Sequence, residues 1–254
     1  MNNKEIVEKL TTVFKLRYPP IAFFYTDNPP CKIYKPKKKS IENRPCIIQL
    51  LNGVKSGRPL VLGKKSRNLC PGGLTYLGFR EPVDGTADFL SEGIFDKEGN
   101  KLMEGERFVK TPKLAKDLLD SIPFRKSTAE FAVFIPLNQV DSEVYKPLLV
   151  IFFINLDQLT GLTQLSNFDT INKARMGVGS NCQTIIAEPL LELENGNPPR
   201  AIIGCLSDTT TRKYLKLDEA TITVSYDRLL EMDENIDKCF LELNPWKTIY
   251  DRIK

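Results

Sequence analysis

Cys46 and Cys70 stand 24 positions apart, and Cys182 and Cys205 stand 23 apart, in a 254-residue chain with six cysteines and no histidine. The thiolate is the reactive and metal-binding form of cysteine, and backbone N–H groups at a helix start stabilise it. Cys46 ("RPCIIQLL") and Cys182 ("GSNCQTII") each sit where a helix is expected to begin. "PGG" follows Cys70 and "GVGSN" leads into Cys182, so Gly72, Gly73 and Gly179 would let backbone approach a bound group closely. Cys205 falls just past an expected strand end, where sheet proteins often place site residues. Without imidazole, a metal site here must use thiolates, carboxylates or backbone, and thiolate-only sites favour iron–sulfur clusters or zinc.

The expectation is therefore an iron–sulfur cluster of the four-iron type held by Cys46, Cys70, Cys182 and Cys205. It would act in electron transfer with a redox partner protein, or in substrate activation at an open iron if only three cysteines bind. Zinc is the alternative metal. Free cysteine also packs as an ordinary apolar residue, and no Cys-x-x-Cys occurs. The competing expectation is a metal-free pocket for a small anionic ligand, in a binding or regulatory protein. Arg44 and Arg212 flank the cysteine-bearing elements and would neutralise an anionic cofactor or a substrate carboxylate; the plain alternative for each is a surface arginine. Cys31, in a proline loop, and Cys239, beside Phe240, read as structural.

Several familiar chemistries are excluded. "GKKS" (63–66) is not a phosphate loop, because Arg58 stands where the leading glycine belongs and Lys65 where Ser or Thr would bind magnesium. "GVGSNC" (177–182) lacks the third glycine of the dinucleotide fingerprint, and "FDTINKARM" ahead of it does not read as a strand. A histidine-based triad is impossible, while a cysteine nucleophile with another base stays open.

The elements that must position the cysteines alternate along the chain. Helices are expected over 3–16, with Asn2 or Asn3 as cap, over 46–54, in "LTYLGF" and as one or two turns in 88–95. Further helices are expected over 111–121 with Thr111 as cap, 156–167, 182–193, in "DRLLEMDENI", and in "NPWKTIYDRI" with Asn244 as cap and Pro245 first. Strands are expected at 21–26, "RPLVLG", 129–137, 147–155, "PRAIIG" and 220–226. This pattern predicts an α/β or α+β fold, a mixed sheet flanked by helices. Both cysteine pairs share the order cysteine, helix, strand, cysteine, which marks a candidate internal pseudo-repeat.

The net charge of +4 is too small to argue for nucleic acid, and no apolar run approaches a membrane span. The N-terminus lacks the apolar core of a signal peptide, so the compartment is expected to be the cytoplasm, where six cysteines are not a disulfide framework. The basic run from Lys35 to Lys39 reads as a solvated loop, with an anionic docking patch as the alternative.

"YPPIAFFYTDNPP", "RPCIIQLL", "CPGGLTYLGF", "MGVGSNCQTIIAEPLLE", "PRAIIGCLSDTTTRKYL" and "FLELNPWKTIYDRI", in that order, resemble the uncharacterised archaeal and bacterial family called domain of unknown function 169. The resemblance runs over nearly the whole chain. It implies a prokaryotic protein with one domain over 1–254, and no activity or catalytic residue.

Overall fold

The computed structural model describes residues 2–37, 44–66, 68–195 and 200–253. The chain begins with α1 (Asn3–Phe14), capped by the Asn2 side chain on the N–H of Lys4, and enters β1 (Ile21–Thr26). Next come α2 (Ile47–Lys55), β2 (Leu60–Gly63) and α3 (Pro71–Tyr76). An excursion then comprises α4 (Thr86–Leu90), β3 (Gly93–Phe95), β4 (Lys101–Glu104) and α5 (Pro112–Ser121). The chain returns through β5 (Phe131–Pro136), β6 (Leu149–Ile154), α6 (Leu156–Ser166) and β7 (Arg175–Gly177). A π-helical turn (Gln183–Ala187) runs into α7 (Glu188–Glu194), then β8 (Ile202–Gly204), α8 (Thr209–Arg212) and β9 (Ala220–Ser225). α9 (Tyr226–Asn235) and α10 (Asn244–Arg252) close the fold.

Seven strands form one mixed sheet in the order β2-β5-β1-β6-β9-β8-β7, and β3 and β4 form a separate hairpin. The pairings in the large sheet are antiparallel except β7 with β8. This is an α/β protein. Successive strand side chains point to opposite faces, and both faces are buried. Ala22, Phe24, Val133, Val150, Phe152 and Ile222 pack in a cluster with residues of α1, α6, α9 and α10. Ile21, Phe23, Phe134, Ile151 and Phe153 pack in the other, with α2, α3 and the π-helical turn. That second face carries the cysteines Cys46 and Cys182.

The expected strand over 21–26 matches β1, and Thr111 caps α5 through the N–H of Leu114, with Pro112 in the first turn. Other expectations are corrected. Residues 88–95 divide into the end of α4 and β3, because Gly93 takes φ +110 and a Cβ there would lie 2.4 Å from the Met103 carbonyl across the hairpin. Asn244 is the first residue of α10 and does not cap it; the cap position is Leu243, with no side-chain bond. A short strand, β7, does precede Gly179. Pro199, at the start of the expected strand "PRAIIG", lies outside the described residues, as do Lys38 and Lys39 of the basic run and Arg67 of the loop before Cys70.

The pseudo-repeat is not established by the topology. β2 is an edge strand, whereas β8 is flanked by β9 and by a parallel partner, β7.

The helix that starts at Cys46 is fixed at its other end by a buried ion pair. Lys55 Nζ lies 2.8 and 3.1 Å from the two Glu219 carboxylate oxygens, with side chains only 4% and 2% exposed. The same ammonium faces the rings of Phe153 and Tyr18. The N–H of Lys216 donates to Glu219, and Asn52 donates to the carbonyl of Tyr214. Removing one member of such a pair strands a buried charge, whereas replacing both with apolar groups need not cost stability. Lys55→Met is therefore expected to lose about 3–5 kcal/mol in denaturant unfolding, and Lys55→Met with Glu219→Leu to recover most of it. Equal losses in the single and double variants would show that the pair is not what anchors α2.

Candidate functional site: a three-thiol cleft

Three of the four singled-out cysteines meet. Cys46 occupies the cap position of α2 in extended conformation (φ −77, ψ 145), and Cys70 occupies that of α3, with Pro71 next. The N–H of Cys70 donates to the Pro45 carbonyl at 3.2 Å, which joins the two cysteine-bearing backbones directly. Gly73 allows α3 to lie against α2: a Cβ there would stand 2.8 Å from Ile47 Cδ1. Gly72 has only an ordinary contact with the Cys70 sulfur, 4.0 Å from where its Cβ would be. Cys182 comes from the far half of the chain and lies inside the first turn of its helix, with φ −67 and ψ −34.

The Cys182 thiol and the backbone N–H groups of Ile48 and Gln49 act on the Cys46 sulfur as donors, although its side chain forms no cap hydrogen bond on α2. These donors hold the Cys46 thiol below its ordinary range, Cys182 being the largest influence. The Cys182 thiol is pushed well up, first because its proton is engaged with Cys46 and then by burial. Burial also pushes the Cys70 thiol up, against the N–H groups of Gly73 and Gly72, and the nearby charge of Cys46 adds to the rise. The thiols thus share one environment in which Cys46 gives up its proton more readily than Cys70 or Cys182.

Two carboxylates act on the same thiols. Asp208 acts electrostatically on Cys46, Cys182, Tyr76 and Glu106. Its position follows from local bonding: Oδ1 caps α8 by accepting from the N–H groups of Thr210 and Thr211 and from the Thr210 hydroxyl. Asn181, the residue before Cys182, donates to the Thr211 hydroxyl at 2.6 Å and so ties this cap to the thiols. Glu106 follows β4, and its N–H is held by the Phe89 carbonyl at 2.7 Å. Burial, aided by Asp208, raises its carboxyl to about 7.

The π-helical turn lies at the edge of this cleft. Pro189 brings no N–H to the Ile185 carbonyl one turn back, and the Thr223 hydroxyl bonds that carbonyl instead, at 3.4 Å. Gln183 links Tyr76 to Glu188, and Arg175 holds Glu188 and Glu192. Gly179 suits its position because its φ of +141 is a backbone conformation that L side chains rarely adopt.

Cys205 does not join the others. It is exposed, its sulfur lies 3.6 Å from the Met176 thioether, and no interaction among the described residues connects it to the three thiols. Arg212 is also reassigned: its guanidinium donates to the carbonyls of Glu219, Lys216 and Leu217, which closes the loop before β9 and leaves little for an anion. Arg44 makes no ion pair among the described residues, and its Nε is buried without a partner. Cys31 is exposed, and Cys239 bonds the Ile236 carbonyl. Among the described residues, no group of three or more Cys, Asp or Glu is arranged around a position for a metal ion. None of the described helices is long and apolar enough to cross a membrane.

The family model described as uncharacterised ArCR, domain of unknown function 169, matches residues 9–235. The chain belongs to this family. The match spans all three converging thiols, both carboxylates and Tyr76. No curated protein and no solved structure matches the chain.

Sequence reasoning missed Glu106, Asp208 and Tyr76. "SDTTT" carried a signal for Asp208 as a helix cap, but nothing local pointed Glu106 toward cysteines so far away in the chain. The raised Glu106 carboxyl has a consequence for stability. Relative to the unfolded chain at 4.5, the folded protein binds the extra proton between about pH 4.5 and 7. Stability therefore falls as pH rises through that window. Glu106→Gln is expected to flatten this part of the stability-versus-pH curve, read by thermal unfolding; an unchanged slope would clear Glu106 as its source.

Proposed function

We propose that Cys46, Cys70 and Cys182 hold an iron–sulfur cluster in a redox protein. The carrying observation is that three thiols from separate helix starts act on one another, with the backbone N–H groups of two helix starts favouring negative charge on Cys46 and Cys70. Cluster thiolates and sulfides are anionic and favour N–H donors, which also tune the potential. A four-iron cluster bound through three thiolates leaves one iron without a protein thiolate. Asp208 and Glu106 share this space, so a small ligand could bind there and exchange a proton with a neighbouring carboxyl. To hold such a cluster, Cys182 would have to give up its proton, because only the thiolate binds metal. When bound, the group would supply one-electron chemistry and Lewis acidity; the chain supplies thiolates, dipoles and proton-carrying groups.

The lowered Cys46 thiol favours a second reading: a metal-free thiol pocket for a small anionic ligand, with Cys46 as its reactive sulfur. Zinc held by thiolates is a third, and chelation would then unfold the protein without loss of visible absorbance.

Anaerobic purification with iron, sulfide and zinc assays separates these readings. Near-equal iron and acid-labile sulfide with broad visible absorbance is expected. Cys46→Ser, Cys70→Ser and Cys182→Ser should each lose most of the iron, and Cys205→Ser should retain it. Protein that contains no iron under those conditions refutes the cluster and leaves the thiol pocket.

A further inference from the structure

We propose that the cavity at the β2–β5 end of the sheet binds an organic phosphate of nucleotide size. This site is separate from the three thiols and does not depend on how they are read. The cavity measures about 460 Å³, within the span of small-ligand sites. It opens where edge strand β2 ends at Gly63 and β5 begins at Phe131.

The walls divide by chemistry. Ile33 and Phe131 supply an apolar, partly aromatic side, and the backbone of Tyr34, whose ring packs on the other face of the sheet, anchors that segment through its N–H to the Val61 carbonyl at 2.8 Å. Lys35, Lys64 and Lys65 supply three positive charges against the single carboxylate of Glu130. Lys64 is steadied by the Ser127 carbonyl at 2.8 Å. Lys65 has only a loose pair with Glu130, 3.6 Å apart and with its side chain 88% exposed. Lys35 has no ion pair among the described residues. Ser66 and Asn68 add polar groups on the lysine side.

A lysine acts as a point charge suited to phosphate, and an aromatic wall suits a flat ring. The absence of a side chain at Gly63 keeps the space between the two sides open. A Cβ there would stand 3.5–3.7 Å from Ser66, Phe131 and Ile33, so a larger side chain would project among the cavity's own lining groups. "GKKS" therefore does not cradle phosphate with its backbone, but it brings Lys64 and Lys65 to a cavity where their side chains and Lys35 can meet one.

Calorimetric titration of the full chain with ADP tests this, with adenosine and inorganic pyrophosphate as controls. ADP should bind saturably, more tightly than either control, and more weakly as salt rises. Gly63→Val should abolish binding while the circular dichroism spectrum stays unchanged. Lys35→Glu with Lys65→Glu should weaken binding by about tenfold or more. Glu130→Gln removes a competitor for Lys65 and should tighten binding about twofold to fivefold, a gain that misfolding cannot imitate. No saturable ADP binding at millimolar concentration would overturn the assignment. So would ADP binding no tighter than pyrophosphate, or binding that the lysine and Glu130 variants leave unchanged.

Discussion

A thiolate in a half-buried cleft needs hydrogen-bond donors, and the arrangement on one face of this sheet meets that need at Cys46. The Cys182 thiol and two backbone N–H groups act on its sulfur as donors. Those N–H groups are free because they belong to the first turn of α2, where no preceding carbonyl is available to them. The donors lower the Cys46 thiol while burial raises Cys70 and Cys182, so three chemically equal side chains become unequal. The bond from the Cys70 N–H to the Pro45 carbonyl and the close approach of Gly73 to Ile47 maintain that geometry from the backbone side.

The sheet divides its labour between its faces. One face is closed by α1, α6, α9 and α10, with Phe14 and Trp246 meeting edge to face and Gly161 packed so tightly under Trp246 that a Cβ would lie 2.5 Å from its ring. The other face carries α2, α3 and the π-helical turn, whose starts hold the thiols. α2 is pinned at both ends, by the cleft at Cys46 and by the Lys55–Glu219 pair. The excursion through α4 and the β3–β4 hairpin adds Glu106 from outside this frame, and the cost of placing a carboxylate there is visible in its raised carboxyl.

The two sites proposed for anionic groups would rely on different physics. At the thiol cleft, charge is met by short-range N–H donors and little net positive charge. At the β2–β5 cavity it would be met by mobile ammonium groups near water, where salt screens the attraction. One loop serves both, since Ser66 and Asn68 border the cavity and Leu69, buried in the core, leads directly into Cys70.

Periodicity and punctuation made most of the fold readable. β1 is a compact apolar run stopped by turns, and Thr111-Pro112 marks the start of α5 because the cap and the missing proline N–H are local effects. The elements flanking Cys46 and Cys182 were legible for the same reason. Which cysteines converge was not. Cys205 follows a strand end beside glycine, a setting that sheet proteins use for site residues, yet it lies exposed against Met176. Arg212 looked available for an anion until the turn before β9 used its guanidinium for three carbonyls. Glu106 and Asp208 reach the thiols only because strand order folds distant segments over one sheet face. Residue types and spacing determined the helices, the strands and the thiol chemistry available to this chain. Tertiary structure alone decided that three thiols, not four, share a cleft with two carboxylates, because strand pairing across long sequence separations leaves no trace in local pattern.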